Sequence, residues 1–159
     1  MKTLTLQTKT TMNHLLLKDS FDLFLLIEGE VTTFNTFSFN GRLKKEYLDE
    51  LPKEEYSKWK ALKGYCLSLI KGKKTPLNFR FIFTLSKKEI ANFLIEYELS
   101  YDPSEVIGLY LNFHYENGQL NCTTGTSLKS FSLDKSIDHA WDHRALDYFY
   151  QLDIPFDIL

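Results

Sequence analysis

Between positions 77 and 85, Leu77, Phe79, Phe81, Phe83 and Leu85 fall at every second residue, with Asn78, Arg80, Ile82 and Thr84 between them. A period of two puts one side of a strand on a core. Ser86 then opens a helix: Glu89 stands three residues on, as a capping box requires, and Leu85 and Ile90 take the two positions of a hydrophobic staple. The stripe Ile90, Phe93, Leu94 and Tyr97 follows at helical spacing. A half-buried strand running straight into an amphipathic helix argues for an α+β domain, in which helices flank an antiparallel sheet.

The next strand carries Ile107, Leu109, Leu111, Phe113 and Tyr115 on one phase, and Asn117-Gly118 is the dipeptide of a type I′ hairpin turn. A return strand from Leu120 to Thr124 follows, Gly125 breaks the run, and Leu128 to Leu133 reads as a third strand. The front of the chain has the same order: a strand at Thr3 to Thr8, a short helix carrying Met12, Leu15 and Leu16, then a strand at Phe21 to Glu28. Gly29 supplies a turn there, Val31 to Phe34 the return strand, and Phe37 to Phe39 a last short strand. Segments 3–39 and 77–133 therefore read as two βαβββ halves. The connection 42–75 contributes a helix with Trp59, Leu62, Cys66, Leu69 and Ile70 on one face, weakened by Gly64. A final helix over 136–152 shows Ile137, Ala140, Trp141, Ala145, Tyr148 and Phe149, and Pro155 stops it.

A length of 159 residues suits one domain, 1–159. Thirteen Phe, nine Tyr and two Trp supply enough large side chains for a core without disulfides or a structural metal. The net charge of -2 excludes a strongly basic nucleic-acid coat protein, while leaving room for a local basic face. Thr3-Leu4-Thr5-Leu6 alternates where a signal peptide needs a continuous apolar run, and Leu15-Leu16-Leu17 and Phe24-Leu25-Leu26-Ile27 fall far short of the roughly 20 residues that span a bilayer. A soluble, cytoplasmic protein is expected. Cys66 and Cys122 lack zinc-site spacing and read as buried small hydrophobes.

At Phe34-Asn35-Thr36-Phe37, at Leu69 to Pro76 (LIKGKKTP) and at Cys122 to Lys129 (CTTGTSLK), the chain resembles an uncharacterised family of small bacterial proteins. That resemblance covers most of the chain and brings no catalytic residues with it. The capped helix, strand, Glu116-Asn117-Gly118-Gln119 turn, strand and Thr124-Gly125-Thr126 turn are also similar to half-domains of the DNA sliding-clamp fold. The clamp resemblance implies DNA or replication and repair proteins as partners. The long connection and the C-terminal helix depart from it.

Four constellations bear on chemistry. Lys71, Lys73 and Lys74 stand before the strand bearing Arg80, with Lys58, Lys60 and Lys63 upstream, and such a cluster suits nucleic-acid phosphates as readily as a solvated face balanced by the acidic final segment. A Walker loop is excluded because Leu67 stands where its first glycine belongs. His139 and His143 share a helix face near Asp138, Asp142 and Asp147, but no third metal ligand is identifiable and Ala140 replaces the glutamate of a zincin. Thr123 to Ser127 reads as turn chemistry, His114 has no evident carboxylate partner, and His14 and Lys18 sit beside Asp19 at a helix end. Gln151, Ile154 and Phe156 resemble a clamp-docking peptide, in which glutamine bonds at a pocket rim while the two apolar side chains insert. A non-enzymatic binding module without a cofactor is the leading reading, with a protein or nucleic-acid phosphates as partner. The competing one is a small hydrolase or metal-dependent enzyme using His139 and His143.

Overall fold

The computed structural model describes all 159 residues. Seven strands form one antiparallel sheet: β1 (Thr3–Leu6), β2 (Leu25–Thr32), β3 (Thr36–Asn40), β4 (Asn78–Thr84), β5 (Val106–Glu116), β6 (Gln119–Leu128) and β7 (Phe156–Ile158), in the order β3-β2-β4-β5-β6-β1-β7. Four helices accompany it: α1 (Thr8–Met12), which runs into a π turn at Asn13–Leu17, α2 (Trp59–Ile70), α3 (Lys87–Glu96) and α4 (Ser136–Gln151). The α+β class with helices flanking an antiparallel sheet is thus the fold of this chain. None of the helices is long and apolar enough to cross a membrane.

Strand alternation decides which face the helices cover. Phe79, Phe81 and Phe83 lie opposite Tyr115, Phe113 and Leu111 of β5, and all but the half-buried Tyr115 are buried. Leu15 and Leu16 of the π turn, Trp59 and Cys66 of α2, Ile90, Phe93 and Leu94 of α3, and Trp141 and Phe149 of α4 join the same core cluster. The helical layer therefore covers one face only. On the other face a row of polar positions, Ser38, Glu30, Arg80, His114, Asn121, Thr5 and Asp157, crosses all seven strands in register. An antiparallel sheet tolerates this because its second face can be left to water. Both cysteines are buried and free, and burial pushes the Cys66 thiol up to about 12.

Several local features differ from the sequence expectation. Gly29 is not a turn: β2 runs through it, and the chain reverses at Thr33–Asn35, where the Thr33 N–H donates to the Asn35 carbonyl. The glycine leaves room for the Phe39 ring of the neighbouring strand, whose Cζ would lie 2.5 Å from a Cβ at position 29. The segment expected to form a strand at 128–133 leaves the sheet, because β6 ends at Leu128 and Phe131 and Leu133, at 90% and 83% exposure, have no face to bury. Gly125 does not break β6; it lies opposite Tyr110.

Each segment consequently holds strand, helix and two strands, and the strands are placed differently. β4 pairs directly with β5, whereas β1 pairs with β6 and β7 and never with β2. The recurring element order is not a recurring strand order. The Ser86 hydroxyl caps α3 by accepting from Glu89 N–H at 3.3 Å. The reciprocal box instead lies at Asp102 and Glu105, in the short turn that leads into β5.

Two stability predictions follow from this packing. Phe81 is fully buried with its ring 5.0 Å from Trp59 and 5.2 Å from Phe79, so Phe81→Ala should destabilise by about 3–5 kcal/mol in a denaturant titration; a change within error would refute its central position. Gly64 lies in α2 with nothing within 4 Å of a Cβ placed there. Gly64→Ala should therefore stabilise by about 0.5–1 kcal/mol, read as a higher denaturation midpoint.

Candidate functional site

The sequence from Leu67 to Pro76 ends a helix and returns the chain to the sheet. The α2 helix stops when Lys71 takes up an extended conformation, and the Lys71 N–H still donates to the Leu67 carbonyl at 2.8 Å. Pro76 is buried and anchors the far end, so Lys71, Gly72, Lys73 and Lys74 stand out between two fixed points, all exposed. Across from them lies the π turn, closed by the Lys18 N–H donating to the Asn13 carbonyl at 2.9 Å. Such a widened turn displaces side chains from the ordinary helical face, and π turns recur at functional sites.

Between these elements is a cleft of about 440 Å³. Its floor is apolar, made by Met12, Leu16, Leu67, Ile70, Phe79 and Tyr115, with the last two rings stacked at 5.1 Å and 9°. Its rim carries Lys71, Lys73 and Lys74, and no acidic side chain lines it. None of the three lysines takes part in an ion pair. A concentration of unneutralised cations over an apolar floor attracts an anion bearing an apolar body.

The structure divides the other basic residues from this group. Arg80 follows Phe79 on β4, so strand alternation sends it to the opposite face, where its guanidinium meets Glu28 at 3.5 Å. It does not converge with the lysines. Lys63 is bound to Asp22 at 2.6 Å and to the Lys18 carbonyl at 2.9 Å. The acidic final segment does not neutralise the cluster either. Asp142 accepts from the Thr124 hydroxyl and pairs with the amino terminus, while Asp138 accepts from Thr126 and meets Lys135. Thr123 to Ser127, expected as a turn, is part of β6, and Thr124 and Thr126 use their hydroxyls to dock α4.

His139 and His143 are exposed on α4, and His143 Nδ1 lies 3.3 Å from the Tyr97 hydroxyl. No group of three or more His, Cys, Asp or Glu side chains converges as a metal would require. His114 does have a carboxylate beside it, Glu116 at 3.6 Å, two residues along the same strand face. His14 is buried, with Nδ1 2.6 Å from the Ser20 hydroxyl; desolvation and Lys18 lower its pKa. Sequence spacing did not reveal that contact, because the chain bends back between the two residues.

The tail residues Gln151, Ile154 and Phe156 are engaged within the chain. Gln151 Nε2 donates to Asp147 one turn earlier at 2.9 Å, Ile154 is 2% exposed in the core, and Phe156 pairs with Leu6 in the sheet and packs its ring 6.4 Å from Phe149. Packing of Ile154 in the core and of Phe156 against Phe149 accounts for the apolar pattern that resembled a docking peptide.

No curated protein and no solved structure matches the chain. A family match does extend over residues 14–157, which takes in the lysine rim, all but the first residue of the π turn and the sheet from β2 through β6. The chain therefore belongs to DUF5721, a family of unknown function.

Proposed function

We propose that the protein is a non-enzymatic binding module that takes the phosphates of a nucleic-acid strand at Lys71, Lys73 and Lys74. The observation that carries this reading is the lining of the cleft, in which three cations stand without a single carboxylate in a chain of net charge -2. Phosphate binding by lysine is Coulombic and releases counterions, so it needs no base sequence. The apolar floor favours a single strand over a duplex. A base turned out of its stack can reach the half-buried Tyr115 at the edge of the cleft, whereas a paired base cannot. Because the remaining surface is net acidic, attraction is confined to this patch and affinity is low.

The test is fluorescence anisotropy of labelled single-stranded oligonucleotides of two unrelated sequences at increasing salt. Binding should be weak and indifferent to sequence, with log K falling against log salt with a slope of about −2 for three phosphate contacts. Changing all three lysines to glutamate should abolish it, and Arg80→Glu, on the opposite face, should leave it unchanged. Absence of binding at low salt, or full binding by the triple variant, would overturn the reading.

A further inference from the structure

A second cavity, of about 240 Å³, opens between α3, α4 and the turn before β2, and shares no residue with the lysine cleft. Phe24, Leu85, Leu111, Trp141, Ala145 and Tyr148 form its apolar wall, and Asp19, Glu89 and Arg144 its charged rim. The decisive feature is which polar groups are already used. The Trp141 indole N–H donates to the Tyr110 carbonyl at 2.9 Å, the Tyr148 hydroxyl donates to the Ser20 carbonyl, and the Ser20 hydroxyl is engaged with His14. The Arg144 guanidinium is held by Glu96 at 2.5 Å. By contrast, the Asp19 and Glu89 carboxylates have neither a hydrogen-bond donor nor a cation. Of the three charged groups on the rim, Arg144 is ion-paired, and the two without an ion pair are both carboxylates.

We propose that this cavity binds a small organic cation, an ammonium carried on a single aromatic ring or a short alkyl body. An apolar cavity of about 150 Å³ holds benzene, so this one has room for a ring with an aminoalkyl arm. The aromatic wall suits the body, and Phe24 and Tyr148, with centroids 5.9 Å apart, both line it. Asp19 and Glu89 supply the opposing charge, and with Arg144 neutralised by Glu96 the rim is acidic overall. An anion of the same shape meets two carboxylates and one guanidinium that is already paired. A neutral analogue gains no charge attraction from the two carboxylates, which stay hydrated.

The experiment titrates phenethylamine, 2-phenylethanol and phenylacetate into the folded protein and follows the Trp141 indole N–H by two-dimensional NMR, with the Trp59 indole as an internal comparison. Phenethylamine should give a saturable shift at Trp141, 2-phenylethanol a much weaker one and phenylacetate none. The double change Asp19→Asn with Glu89→Gln should weaken the amine about tenfold, the loss of a partly screened charge attraction. Ala145→Leu should block it by filling the wall. The Asp19 and Glu89 variant lies on the rim and tests the charge requirement even if Ala145→Leu fails to fold. No saturable shift with the amine, equal or tighter binding of phenylacetate, or full binding by the double variant would each overturn the proposal.

Discussion

The contact between Trp59 and the phenylalanines of β4 fixes the rest of the molecule. The indole ring stands 5.0 Å from both Phe81 and Phe83, and its N–H donates to the Leu15 carbonyl at 2.6 Å. One side chain thereby binds α2, the π turn and an inner strand of the sheet. The N–H would be an expensive orphan in so apolar a setting, so the bond to Leu15 specifies position as well as adding attraction. Phe21 extends the cluster from the other side, with Phe83, Phe113, Tyr148 and Phe149 all within 6.5 Å between ring centroids. Because the phenylalanines of the strands all lie on one phase, the helices collect on one face.

Both cavities are consequences of that one-sided layer. Helices packed on a twisted sheet diverge at its ends and corners, and the gaps between them take their chemistry from whichever segments pass nearby. Where α2 ends, the return to β4 brings three lysines to the gap. Between α3 and α4 the gap is bordered by acidic residues instead. The two gaps therefore present opposite charge in a chain whose formal charges nearly cancel. Neither depends on the polar outer face of the sheet, where Arg80 and Glu28 pair with each other and His114 with Glu116.

Period and capping made most of the elements legible. The β4 strand, the Ser86 cap, α3, the Asn117-Gly118 hairpin, α2 and α4 could all be read from local pattern, because each is specified by residues within a few positions of one another. Gly29 and the segment after Leu128 depart from their local pattern for a shared reason. A glycine inside a strand looks like a turn until the ring it accommodates, Phe39, is known, and an apolar alternation looks like a strand whether or not a neighbour exists to pair with it. The lysine cluster was visible as a run of charge, while its apolar floor was not, since Met12, Leu67 and Tyr115 come from three distant parts of the chain.

By itself the sequence determined the class of the domain, the buried phase of its principal strands, the places where helices begin and the presence of a basic connection. Those properties depend on periodicity, capping and charge, which are local. Tertiary structure alone decided that β1 lies against β6 rather than β2, that Arg80 is turned away from the lysines, and that Ile154 is buried in the core while Phe156 pairs with Leu6 at the sheet edge. It alone assembled the second cavity and left Asp19 and Glu89 without partners there. Strand order and side-chain pairing are settled by competition among residues far apart in the chain for a limited buried surface, and no local pattern records its outcome.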